Sequence, residues 1–345
     1  MKLIKLVLAI SVFGIFSCDK MLLGPDVKNT PQSNFEALWK DFDEHYGLFL
    51  VKDLDWDLSH QTYSPLISET STDAEMYQVF TEMLKPFNDN HVRLIPQKST
   101  GLPTNFISGT LGTIGPMNDF DLDILSGAYL ENVVKALTDD EIVYGKIKGH
   151  NIGYMHIASF GNIISDYKPV LDAFIETYKN ADGVIVDVRA HEGGSDNVSQ
   201  YIAGRFASEE HLFMTMQRRD GPAHNDFGPL IEWYAKPIDE TYSGKVCLLT
   251  NKFTLSAGET FTLAMKVNSN VFSIGDTTSG AFSDVVPREL PNGWIYTMPI
   301  GDYRDRNGIS WEGKGLTPDS LMINSKVEVL GGIDKVLNTA IGYLK

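Results

Sequence analysis

Cysteine is scarce: only Cys18 and Cys247 occur in 345 residues, so at most one disulfide is open to this chain. Neither a GxGxxG nor a Walker A pattern is present, which removes the usual nucleotide cradles. No group of His, Cys, Asp and Glu has zinc-type spacing, so neither a metal nor any other cofactor is expected. Positive charge is also short. Lys and Arg number 29 against 45 Asp and Glu, for a net charge of −16, and such a surface does not suit nucleic acid. Long low-complexity tracts and internal repeats are missing as well.

The longest apolar run lies at the N-terminus. Met1-Lys-Leu-Ile-Lys5 is basic, and Leu6 to Phe16 is apolar but too short for a typical membrane-spanning helix. It ends in Gly14-Ile-Phe-Ser-Cys18, which resembles a bacterial lipobox. Residues 1–17 are therefore expected to be a lipoprotein signal peptide, with Cys18 the lipidated first residue of an exported protein. The alternative is an ordinary secretory signal that happens to contain a cysteine. Acyl chains on Cys18 would anchor a water-soluble body to a membrane, facing the periplasm or the cell surface. Residues 18–32, with two prolines and a glycine, suit a tether. Cys247 sits in an apolar run and is expected to be a buried small hydrophobe; with Cys18 acylated, no disulfide remains.

From Ser33 the pattern turns helical. Ser33-Asn-Phe-Glu36 can form a capping box, and Phe35, Leu38, Trp39 and Phe42 share a face. A second helix is predicted over Asp73 to Lys85, stopped by Pro86. Asn88-Asp-Asn-His91 then turns into a short strand. A lone histidine there is most often structural. Residues 97–140 suggest weak strands or loops. Beyond Glu141 the alternation is cleaner: a strand at Ile152–Ala158, a helix at Asp166–Lys179, a continuous apolar strand at Gly183–Val188 and a helix from Asn197 to Phe206. An α/β layered core follows. Gly193-Gly194 lies where the buried strand gives way to a helix, where open α/β sheets place ligands. Paired glycines there can aim an N–H at a substrate, although a plain turn needs no more.

The chain is organised around Thr250-Asn-Lys-Phe-Thr-Leu-Ser256-Ala-Gly-Glu-Thr-Phe261. An apolar strand, Lys245–Thr250, precedes it, and Glu259–Lys266 has the spacing of a helix, so Ser256 falls at a strand-to-helix junction. A hydroxyl there can attack a carbonyl while unpaired helix amides hold the oxyanion. Ser-x-x-Glu is, however, also the plain signature of a capping box. After a strand from Val271 and a hairpin turn at Leu290-Pro-Asn-Gly293, Trp311 to Asp319 is a loop with Glu312 near its start. Lys326 to Tyr343 suggests a closing helix interrupted by Gly331-Gly332.

Four stretches, in order, resemble the tail-specific (carboxyl-terminal processing) and tricorn-type serine peptidases: Asn88-Asp-Asn-His91, Val184-Ile-Val-Asp-Val-Arg189 with Gly193-Gly194, Thr254-Leu-Ser256-Ala-Gly-Glu259, and Glu312-Gly-Lys-Gly-Leu-Thr-Pro-Asp319. Phe35 to Asp57 is similar to the helical cap of tricorn-type and retinoid-binding relatives. The resemblance implies an α/β fold, a crotonase/ClpP-like core of β/β/α units with an N-terminal helical cap domain. The boundaries are a cap over 33–96, a connecting region over 97–140 too short for the usual PDZ domain, and a peptidase core over 141–345.

It further implies a nucleophile at Ser256, a base at His91 and an orienting carboxylate at Glu312. The oxyanion would be held by amides of Gly193 or Gly194 and of Ala257. The family's Ser–Lys branch is excluded: Gly275 to Phe282 holds no lysine, and Lys266 lies about three turns along the serine's own helix. Asn90 stands where the tricorn pattern has a serine. With no PDZ, cap apolar residues or Tyr144 to Tyr154 are expected to line the cleft. The expected activity is hydrolysis of peptides or unfolded protein; no oligomeric state is implied. The alternatives are a non-catalytic carrier of apolar ligands on the same fold and a crotonase-like acyl-CoA enzyme, which lacks this serine and suits the cytosol.

Overall fold

The computed structural model describes residues 28–345; the expected signal peptide, Cys18 and most of the tether lie outside the described residues. The first helix, Pro31–His45, begins three residues earlier than its capping box suggested. Thr30 is the N-cap and Ser33 its reciprocal partner, because proline is well suited to the first helical position, where no N–H is needed. The second helix, Asp73–Leu84, is boxed by Thr72 and Glu75. Phe35, Phe42, Trp56, Phe80 and Phe87 pack together in a core that also takes in Leu94.

That N-terminal core is completed from far along the chain. The hairpin Val285–Glu289/Ile295–Pro299 pairs antiparallel with Arg93–Ile95, which in turn pairs with Phe106–Ile107. Trp294, Tyr296 and Met298 of the hairpin are buried in the same cluster as the helices. Residues 97–140 hold more structure than weak strands: Asp121 caps a helix over Leu122–Tyr129, and Leu130–Ala136 joins the edge of the main sheet.

The main sheet has seven strands in the spatial order Ser320–Leu321, Val271–Gly275, Val246–Thr250, Gly183–Asp187, Ile152–Ile157, Ile142–Ile147 and Leu130–Ala136. The first five are parallel and the last two antiparallel. Both faces are covered, which explains the continuous apolar runs. Val184, Val186 and Leu248 face a core shared with the Ile164–Tyr178, Asp196–Gly204 and Ala257–Lys266 helices. The alternate residues Ile185, Cys247 and Leu249 face the closing helix through Leu337 and Ile341. Burial pushes the Cys247 thiol up to about 12, so it behaves as a hydrophobe. Gly331-Gly332 divides the closing segment into Lys326–Leu330 and Lys335–Leu344. A small antiparallel sheet of Gly301–Asp305, His211–Arg218 and Ile231–Ala235 flanks the core.

Candidate active site

The loops at the C-terminal ends of the parallel strands Gly183–Asp187 and Val246–Thr250 carry the glycine pair and Ser256, as the α/β crevice rule requires, while His91 and Glu312 come from turns outside these strand ends. Strand Val246–Thr250 leads into a turn fixed by its own polar side chains. Asn251 Oδ1 accepts the N–H groups of Ala190 and Phe253, and Thr254 Oγ1 donates to Val188 O at 2.7 Å. Ser256 then takes φ 56°, ψ −124°, a conformation that costs a side-chain-bearing residue about 1–3 kcal/mol and tends to gather at functional sites. The capping-box alternative does not hold. Ser256 makes no side-chain cap bond, so the reciprocal pair of a capping box is not formed. Instead the Glu259 carboxylate accepts from Thr278 Oγ1 (2.5 Å), Gly280 N–H (2.7 Å) and Ala281 N–H (2.7 Å).

Glu259 thereby clamps the loop 277–284, which gathers the rest of the site. Ser256 N–H donates to Ala281 O at 2.9 Å. Asn90 Nδ2 donates to Ser279 O and Oγ at 3.0 and 2.9 Å, bringing the His91 turn onto the same loop. Glu312 Oε1 accepts the N–H groups of Phe282 (3.0 Å) and Ser283 (2.8 Å). Ser256, His91 and Glu312 thus converge through one short segment. No hydrogen bond joins their side chains directly among the described residues, an arrangement common where catalytic contacts tighten only on substrate binding. His91 Nδ1 and Glu312 Oε2 are both buried without partners.

Burial is the main cause of the electrostatics here. It holds His91 below its usual pKa, with Asp89 opposing and Arg93 reinforcing the shift, so the ring is a neutral acceptor at pH 7. Burial, with help from Asp89, holds Glu312 well above the usual carboxylate range, while Lys52 pulls it down. Glu259 is raised to about 7 by burial against its three donors. Asp89 itself is fully buried and fixes the turn: its Oδ1 accepts His91 N–H at 2.8 Å, and Oδ2 accepts Tyr46 O–H at 3.1 Å.

Opposite the serine lies the glycine turn. A Cβ on Gly193 would stand 2.7 Å from Ser256 Cβ, so only glycine lets the two loops approach. Gly193 N–H is committed to His191 Nδ1 at 3.0 Å. The expectation that either glycine donates to an oxyanion therefore narrows to Gly194, whose N–H makes no hydrogen bond among the described residues, and to Ala257, whose N–H opens the helix unpaired. Lys266 is occupied elsewhere, with Nζ 2.6 Å from Ser273 Oγ and 2.8 Å from Asp319 Oδ1. Tyr154 is wholly buried and lines no cleft. The space beside the glycine turn is instead a cleft of about 550 Å³ lined by Thr138, Glu141, Ser159, Asn162 and Glu192 among others. Asp89, His191 and the clamp role of Glu259 escaped the sequence reading. Each is an ordinary residue type whose partners lie in other loops.

Comparison with known proteins gives concordant matches. The model of peptidase family S41 matches residues 151–322, and that of the tricorn protease C1 domain matches residues 28–85. The carboxy-terminal processing protease CtpB of Bacillus subtilis is 26% identical over 174 residues, 48% of this chain and 34% of that protein. Tricorn protease of Thermoplasma acidophilum is 28% identical over 207 residues, 59% of this chain and 17% of that protein. The chain thus spans about a third of the length of the first of these curated relatives and about a sixth of the second. A solved structure of a candidate peptidase from Parabacteroides merdae is 30% identical, covers 92% of this chain and 97% of its own, and superposes with a TM-score of 0.79. Mature CPAF in complex with lactacystin shares the fold at 11% identity, with a TM-score of 0.69 and coverage of 91% and 98%.

Proposed function

The chain belongs to peptidase family S41, and on that premise we propose that it is a lipid-anchored serine peptidase that cleaves peptide bonds through an acyl-enzyme. Ser256 Oγ attacks the scissile carbonyl, and neutral His91 accepts its proton and later gives it to the leaving amine. The Gly194 and Ala257 amides receive the oxyanion. Glu312, held between loop 277–284 and the Asn88–His91 turn, orients the base through the polar groups between them. A water then attacks the acyl-enzyme and gives a proton to His91, which passes it to Ser256 Oγ as the acid leaves. The substrates are peptides or unfolded protein, and Cys18 carries the membrane anchor on the periplasmic or outer face.

The observation that carries this reading is the backbone of Ser256. A strained serine whose hydroxyl caps nothing, set beside two unpaired amides, has no evident structural purpose. The polar lining of the neighbouring cleft also suits a peptide better than an apolar cargo. The test is fluorophosphonate labelling of the purified protein beside Ser256→Ala and His91→Ala, with loss of at least about 10³-fold in both variants expected. Labelling lost only in Ser256→Ala would remove His91 as the base. A folded wild-type protein that is never labelled would instead support the carrier. For the anchor, palmitate incorporation that Cys18→Ser abolishes is expected; label retained in that variant would refute lipidation at Cys18.

A further inference from the structure

His191 is wholly buried two residues before the glycine pair, and its contacts reach both the glycine turn and the turn that carries Ser256. Nδ1 accepts Gly193 N–H at 3.0 Å. The His191 carbonyl accepts Leu255 N–H, from the residue before the serine, at 3.1 Å. A Cβ on Gly258 would lie 2.6 Å from Nδ1, so the imidazole abuts the first turn of the serine helix. Its ring centre stands 4.2 Å from that of Phe160. Phe160 grips the glycine turn from the other side: its N–H donates to Gly193 O at 2.7 Å, and its carbonyl accepts Ser195 N–H at 3.0 Å.

These bonds orient one peptide plane. In a trans peptide the C=O and the following N–H point in opposite directions. Gly193 O is drawn toward Phe160, so Gly194 N–H points away from Phe160 and toward open space, where Gly194 is exposed. The preceding N–H, of Gly193, is held inward by His191. Acceptance at Nδ1 requires a lone pair there and places the ring proton on Nε2, which is buried without a partner. Burial pushes the His191 pKa down to about 3, so this acceptor persists throughout the range in which His91 titrates.

We propose that His191 is a positioning residue for the reaction set out above, holding Gly193 N–H so that the Gly193–Gly194 peptide presents Gly194 N–H to the oxyanion. The inference rests on the peptidase reading, and the experiment separates the two. With fluorescein-casein and a fluorophosphonate as probes, kcat, KM and labelling rate are measured for the full chain and for His191→Leu and His191→Asn. Asn Oδ1 falls close to where Nδ1 stands and can accept the same N–H. The Leu variant is expected to lose about 10²–10³-fold in kcat and labelling rate with KM changed less than about twofold. The Asn variant should recover to within about tenfold of wild type.

Full kcat in the Leu variant, or an Asn variant that folds by circular dichroism yet is as slow as Leu, overturns the inference and leaves the peptidase reading standing. A wild-type protein that the probe never labels overturns both. Amide exchange in the unaltered protein gives a check independent of any variant's folding. Gly193 N–H should be protected and Gly194 N–H should exchange fast; fast exchange at Gly193 overturns the inference.

Discussion

Ser256 carries the clearest conflict between stability and chemistry at the residue scale. Its φ of 56° is one that glycine adopts without strain. Ser256→Gly is therefore expected to lose all activity and to stabilise the protein by about 1 kcal/mol, the relief of strain less the added freedom of the unfolded glycine. A thermal midpoint in Ser256→Gly equal to or below wild type would contradict the strained-backbone argument. His91 gives a second expectation. Because burial lowers its pKa, the acid limb of kcat/KM should fall at a pH below the ordinary histidine value of about 6.5. Activity is lost as pH drops through that point, where the base becomes charged. A limb at or above 6.5, in a pH-rate profile with a peptide substrate, would mean another group is titrating.

Among the elements, the strand ends are held by a buried ionic network. Arg189 contacts Asp187 at 2.6 Å and Asp334 at 2.9 Å. Tyr154 O–H donates to Asp187 at 2.8 Å, and the Phe120 ring centre lies 4.4 Å from the guanidinium carbon. Arg189→Leu leaves two buried carboxylates uncompensated and is expected to cost about 3–5 kcal/mol, read as a lowered urea midpoint. A loss under about 1 kcal/mol would show that water reaches the pair.

Legibility in the sequence follows the same divide between local and distant causes. Val246–Thr250, Gly183–Asp187 and the helices after them were readable because each element's apolar pattern is local. Leu130–Ala136 was not, since residues 132–135 are exposed and give no inward stripe. The hairpin at 285–299 was readable as a hairpin, but its place against Arg93–Ile95 depends on a partner about two hundred residues away. Within the site, Ser256 and Gly194 could be picked out by position along the chain. Glu259 looked like a helix cap because its true partners, Thr278, Gly280 and Ala281, belong to another loop. His191 carried no signal at all.

The whole molecule should show an asymmetric stability profile with pH. Glu259 and Asp196 are raised by burial to about 7 and about 6, and Glu312 is raised as well. Each stabilises the fold fully below its unfolded pKa, and that stability is lost as pH rises through the folded value. His91, His156 and His191 are lowered by burial, so they act in the opposite sense and erode stability as pH falls below about 6.5. The thermal midpoint is therefore expected to rise from pH 8 to about 6.5, stay nearly level to about 4.5, and fall below that as unfolded carboxylates take up protons. A midpoint that climbs steadily from pH 5 to 8 would show that the buried carboxylates are better solvated than their surroundings suggest.

The long-range hairpin has a consequence for the timing of synthesis. The carbonyl of His91 is held by Thr297, 206 residues later, and Asn90 by Ser279, 189 residues later. The N-terminal core also lacks Trp294 and Tyr296 until that stretch has been made. A growing chain that already carries Ser256 would therefore have neither the His91 turn fixed in place nor Glu312, and loop closure over such distances is slow. If Ser256, His91 and Glu312 act together as proposed, the nascent chain would stay inert until it is nearly complete.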